Sequence, residues 1–270
     1  MAEIYPQLYL TPGKEGAEWY RAIVGRGGDA PTRSLSHFYG SERDCLSVEN
    51  TPAGEVKIVI LGDRRDFEMF LQIMSCRCVP TKIPPSQGAQ MLDGVINWTK
   101  IRAHWDEYLC FGADRANFTD ALIILSTGPY SAVSAEEAGM DEREWLKASL
   151  TIRKAHECTH FLCRRLFPDR KDALWDELAA DAVGLYAAFG RYERRLAERF
   201  LGVTERGYVG GRLENYIPDG PEKSGQLREL SGKVFRTLAR LEEVVQAAGS
   251  VDPYALAVRL EDEITFWKEA

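Results

Sequence analysis

His156-Glu157-Cys158-Thr159-His160 sets two imidazoles four residues apart, with a carboxylate beside the first. On a helix, side chains at that spacing project from nearly the same side, one turn apart, so both rings can reach a single divalent ion. Glu157 then stands next to any water such an ion holds, in the position of a general base. The chain contains only 4 histidines, two of them here. A surface helix with two accidentally spaced histidines is the plainer alternative, and the scarcity of histidine weighs against it.

Two histidines leave a hydrolytic zinc one protein ligand short, because such sites use three and keep the fourth position for water or substrate. Glu177 is the leading candidate for the third. It lies beyond the turn Phe167-Pro168-Asp169-Arg170, early on the next expected helix, and returns toward the metal if the two helices run antiparallel. Asp176 competes, but points about 100° away from Glu177 on the same helix. Asp181 follows Glu177 by one turn on the same face, where its carboxylate can accept the free ring N–H of a ligating histidine and fix the tautomer. Carboxylates near a helix start are also favoured by the helix dipole, whatever else they do.

Together, His156-Glu157-x-x-His160 and Glu177-x-x-x-Asp181 resemble the gluzincin group of zinc metallopeptidases, the thermolysin-like architecture. The resemblance covers His156 to Asp181, with a linking gap somewhat shorter than that of thermolysin, and extends to no particular family of the group. It implies Zn2+ as cofactor, with His156, His160 and Glu177 as ligands and Asp181 behind them. Glu157 would be the base that takes a proton from the metal-activated water and passes it to the departing amine. The reaction implied is hydrolysis of a peptide bond or another amide, and the partner is a peptide or protein substrate.

The same likeness implies an edge strand ahead of the HExxH helix that binds the substrate backbone. Ala121–Leu125 occupies that place, with Ile123, Ile124 and Leu125 as substrate-binding candidates. A residue that stabilises the oxyanion is expected downstream. Tyr208, Arg212 and Tyr216 have the chemistry, and no motif chooses among them.

Two other classes compete. Glu157-x-x-His160 is also half of a carboxylate-bridged di-iron signature, but such a site needs a second Glu-x-x-His. Ser34 precedes His37 by three residues and Ile101 precedes His104, so neither supplies it. A non-catalytic regulatory or interaction domain with a structural or vestigial metal site is the alternative that stands, distinguished by metal content without hydrolysis.

The elements that must position these residues follow from periodicity. Asp141 with Glu144 has the form of a helix start, and Pro168 a stop, which predicts a helix from about Glu142 to Leu166. A second should run from Asp172 through Ala188, pausing at Gly190 and resuming to Phe200, with a loop over Thr204–Gly225. Helices from Gln226 to Ala248 and Pro253 to Lys268 close the chain. Upstream, Val56–Leu61 and Ala121–Leu125 read as strands, with helices at Glu15–Val24 and Arg64–Ser75 and a mixed, partly helical segment at Gly88–Tyr108. The fold class expected is α+β, zincin-like and mostly helical, with a small sheet packed on the HExxH helix and a helical C-terminal part. The division is an α/β part over 1–135 and a helical part over 136–270, forming one catalytic unit.

Composition narrows the function further. A hydrophobic share of 45% and a charged share of 28% are those of a folded globular chain. The net charge of −7 argues against a nucleic-acid reader, and Arg191, Arg194, Arg195 and Arg199 alternate with Glu193 and Glu198 as a solvated helix face does. The N-terminus has no basic leader or apolar core and no apolar run reaches bilayer length, so a cytoplasmic, membrane-free protein is expected. The cysteines are then thiols. Cys76-Arg77-Cys78 has no matching Cys or His pair nearby and is not expected to hold a metal.

Overall fold

The computed structural model describes residues 1–85, 87–170 and 172–269. The chain forms two compact units, one of residues 1–50 and 54–127, the other of residues 51–53 and 128 onward. The boundary falls at Thr127/Gly128 rather than at 135/136.

The first unit contains α1 (Lys14–Arg26), β1 (Cys45–Thr51), β2 (Gly54–Leu61), α2 (Arg64–Met74), β3 (Ala89–Ile96), α3 (Trp98–Ala103), α4 (Tyr108–Phe111) and β4 (Thr119–Ser126). Its sheet has the order β1-β2-β4-β3. β4 is parallel to β2, with Lys57 opposite Leu122, and antiparallel to β3, with Ala89 opposite Leu125. Strands buried on both faces are apolar without alternation, which is why β2 and β4 stand out in the sequence. Val59, Leu61, Leu122 and Ile124 pack with Phe67, Phe70 and Leu71 of α2, while Ile58, Ile123 and Leu125 are buried too.

This topology corrects the expected substrate edge. β4 has neighbours on both sides, so its main-chain groups are committed to β2 and β3, and Ile123, Ile124 and Leu125 are fully buried. They can offer no free backbone to a peptide. The edges of the sheet are β1, absent from the sequence expectation, and β3, which opens the segment read as mixed and partly helical.

Asp120, at the start of β4, anchors a buried polar cluster. Tyr5 Oη donates to Asp120 Oδ2 at 2.5 Å and Asn97 Nδ2 at 2.7 Å. Lys57 Nζ meets the same oxygen at 2.7 Å, and Lys100 Nζ reaches Oδ1 at 2.9 Å. Burial works to raise the pKa of this carboxyl, but Lys57, Tyr5, Lys100 and Asn97 more than offset it and hold the group well below the usual carboxylate range.

The second unit contains α5 (Ala135–Ala138), α6 (Glu142–Leu166), α7 (Ala173–Phe189), α8 (Arg194–Leu201), a small ribbon of β5 (Val203–Thr204) and β6 (Gly207–Tyr208), α9 (Lys223–Ala248), α10 (Pro253–Leu260) and α11 (Ile264–Glu269). α7 is apolar nearly all round and is its central helix, packed against α6, α9 and α10. Leu178, Val183 and Leu185 are buried there among Leu241, Val245 and Leu256, each such side chain contributing about 1.5–3 kcal/mol. A turn at Glu261–Glu263 separates α10 from α11 where the sequence suggested one helix.

α6 starts at Asp141, whose side chain accepts from Arg143 N at 2.8 Å, and stops before Pro168. α7 is capped by Asp172, which accepts from Trp175 N at 2.9 Å through Oδ1. Its other oxygen accepts the Trp267 indole N–H of α11 at 2.8 Å. The short connection obliges α6 and α7 to lie side by side, antiparallel. Gly184 makes the approach close: a Cβ there would stand 2.8 Å from the Ile152 carbonyl oxygen. No helix among the described residues is long and apolar enough to cross a membrane.

Candidate metal centre

The antiparallel pairing of α6 and α7 sets the register of the site. His156 faces Asp181, and one turn forward on α6 His160 faces Glu177, one turn back on α7. His156 Nε2 lies 3.0 Å from His160 Nε2 and 3.5 Å from Glu177 Oε2, and His160 Nε2 lies 3.2 Å from Glu177 Oε1. Donors about 2.05 Å from a tetrahedral zinc stand about 3.3 Å from each other. The observed separations bracket that value. His156, His160 and Glu177 also form a group whose ligand atoms all lie within 4.8 Å of one another.

The protonation pattern suits a cation. His156 Nδ1 is 3.0 Å from Asp181 Oδ1, a carboxylate that can only accept, so Nδ1 carries a proton and Nε2 is the ring atom that faces His160 and Glu177. Asp181 is 2% exposed. Burial alone would raise its pKa, yet the Arg212 guanidinium, bonded to Oδ2, and His156 hold it below the ordinary range. Glu177 is treated alike: burial opposes its charge, while His156, His160 and Arg212 keep it ionised. Arg212 Nη1 lies 3.9 Å from Glu177 Oε2.

Tyr130 completes the support and was not singled out by the sequence. Its hydroxyl donates to Asp181 Oδ1 at 2.7 Å and lies 2.9 Å from His156 Nδ1. The position is built by neighbours: Tyr130 N donates to Ser149 Oγ at 3.0 Å, and its ring meets Phe200 edge-on at 5.0 Å. Ser131 and Ala132 follow at φ 54° and 58°, a left-handed turn in two non-glycine residues. Trp145 Nε1 fixes the end of that turn by donating to the Val133 carbonyl at 2.7 Å. A Gly128-Pro129-Tyr130 turn far from the HExxH segment carries no sequence signal for such a role.

The remaining candidates separate clearly. Glu157 is half-buried beside His156 and near enough for its charge to act on that ring. Tyr216 hydrogen-bonds Glu177, and burial together with the Glu177 charge pushes its phenol up. Arg212 and Tyr216 share the turn Arg212–Tyr216, anchored by buried Leu213. Gly211, just before it, lies against the Gly202 backbone with no room for a Cβ. Tyr208 is a correction. Its hydroxyl donates to the Gly211 carbonyl at 2.9 Å and accepts from Gly211 N at 2.9 Å, so it is consumed in shaping the loop and takes no part in the His156–Glu177 cluster. Arg212, expected as an oxyanion stabiliser, is instead tied to Asp181 behind the ligands.

The chain belongs to the family of unknown function DUF7005, which matches residues 10–258 and so takes in both units and every residue of this centre. No curated protein and no solved structure matches it.

Proposed function

We propose that this protein is a zinc-dependent hydrolase of peptide or other amide bonds, gluzincin-like in its ligand set and cytoplasmic. The observation that carries the reading is the convergence of His156, His160 and Glu177 from two antiparallel helices, with His156 Nε2 turned inward by the Asp181 contact at Nδ1. Two imidazoles and a carboxylate are the donor set of hydrolytic zinc sites. When bound, zinc supplies Lewis acidity, polarising a carbonyl and lowering the pKa of a water. Glu157, between the two histidines in sequence, would take the proton and return it to the leaving amine. Asp181 and Tyr130 hold the His156 ring and its tautomer, while Arg212 balances the negative charge of Asp181 and Glu177. Tyr216, hydrogen-bonded to Glu177, is the remaining oxyanion candidate. All 6 cysteines stand as thiols, in keeping with a reducing compartment.

The test is elemental analysis and amide hydrolysis on the wild type, His160→Ala and Glu157→Gln. Wild type should carry one metal per chain, His160→Ala should lose it, and Glu157→Gln should retain it with turnover reduced by about 10²–10⁴. Normal turnover by Glu157→Gln would remove the base from the scheme. Stoichiometric metal without hydrolysis of any peptide library by the wild type would favour a regulatory domain.

A further inference from the structure

A cavity of ≈ 580 Å³ in the first unit shares no residue with the metal centre. Arg21 of α1, Arg77 just after α2 and Arg115 ahead of β4 line it, with Asp93 of β3 as the lone carboxylate. Three guanidiniums against one carboxylate leave two positive charges in excess, in a chain whose formal net charge is −7. All three arginines are exposed at the rim, whereas Met74 and Met91 are buried in the floor. Gln7, also in the lining, is 3% exposed.

Two backbone irregularities meet at this cavity. Arg77 and Cys78 are consecutive non-glycine residues at φ 56° and 62°, in the left-handed region that L-residues avoid. Their turn is pinned from two sides: Cys78 N donates to the Gln72 carbonyl at 2.8 Å, and the Cys78 carbonyl accepts from Gly13 N at 2.8 Å. Opposite, β3 breaks register between Leu92 and Val95, with Gly94 at φ 70°. Arg115 Nη2 lies over that bulge, donating to the Gly94 carbonyl at 3.4 Å. Strained turns and bulges persist where the surroundings over-determine them, and they cluster at ligand sites.

We infer that this cavity binds a phosphate monoester with a flat apolar body, of the nucleoside monophosphate class. Guanidiniums present paired donors that match phosphate oxygens. A phosphate monoester carries a charge of about −1.5 to −2 at neutral pH, which balances the excess in the lining, whereas a single carboxylate leaves half of it unmet. The polarisable methionine floor suits a ring face, and the Gln7 amide offers a donor and an acceptor to its edge.

The experiment is calorimetric titration of the full chain with AMP, inorganic phosphate and adenosine. AMP should bind once per chain, and the other two should bind at least about tenfold more weakly. Arg77→Ala should weaken AMP binding by about tenfold or more. Arg115→Ala should do the same and, being an exposed rim position, keeps the proposal testable if the strained Arg77 turn does not tolerate change. Gln7→Leu should weaken AMP while leaving inorganic phosphate unchanged. The inference is overturned if AMP gives no binding heat at millimolar concentration, if adenosine or inorganic phosphate binds as tightly as AMP, or if both arginine variants bind AMP like the wild type.

Discussion

Asp120 and His156 each lie at the heart of a buried polar cluster, and the two clusters are built on opposite plans. Around Asp120 one acceptor carboxylate is met by donors from Tyr5, Lys57, Asn97 and Lys100, so both of its oxygens are answered. In the second unit the donors Tyr130 and Arg212 gather on Asp181, behind His156. In front, His156 Nε2, His160 Nε2 and the Glu177 carboxylate converge, with separations of 3.0, 3.5 and 3.2 Å. A closed cluster rigidifies a fold and asks for nothing more. Two imidazole nitrogens and a carboxylate brought this close share a proton or a cation between them, and that marks the site chemically.

Metal should therefore act on one cluster and be invisible to the other. At a hundredfold excess over its Kd, zinc should stabilise the wild type by about 2.7 kcal/mol in urea unfolding. Amide-exchange protection should rise along α6 and α7 and stay constant around Asp120. An equal gain in His160→Ala would break the contrast.

The next effect belongs to the closed cluster. Asp120→Asn should cost about 2 kcal/mol, with zinc content unchanged. Because the native carboxyl is held below its unfolded value, its contribution is complete above about pH 4 and is lost as the pH falls through the depressed native value. Acid unfolding of the variant should lack that component, and an unaltered pH profile would show that the Asp120 charge does not stabilise the unit.

The smallest effect sharpens the comparison from behind the metal. Tyr130→Phe keeps the ring against Phe200 and removes only the hydroxyl shared by His156 and Asp181. Competition with a chromophoric chelator should find zinc affinity reduced by about tenfold, the fold being intact. Unchanged affinity would mean that Asp181 alone orients the imidazole.

How much of this was legible depended on whether the information was local. α6 could be read because Asp141 caps it, Pro168 stops it and its histidines share one face. β2 and β4 could be read because strands buried on both sides are short runs rich in Val, Ile and Leu. β1 could not, since none of its residues is buried and an edge strand so exposed has no apolar alternation. β3 was obscured by the Asp93-Gly94 bulge, which breaks its period. That β4 is interior rather than an edge is set by partners distant in sequence. Tyr208 was singled out by its chemistry alone, but a hydroxyl already bonded at both ends to Gly211 has nothing left to offer. Tyr130 gains its place from a left-handed turn, which ordinary residues such as Ser131 and Ala132 do not advertise.

Trp267 grips the aspartate that starts α7 from 95 residues downstream, and Arg170, in the bend just before it, donates to the Glu261 carbonyl at 2.7 Å. The bend between the two ligand-bearing helices is thus clasped by the distal end of the second unit. Peeling α11 away, by a protease nick or a competing protein, would slacken α7 at its root and let Glu177 drift from the histidines. The last helix serves as a remote tensioner for the His156–His160–Glu177 cluster.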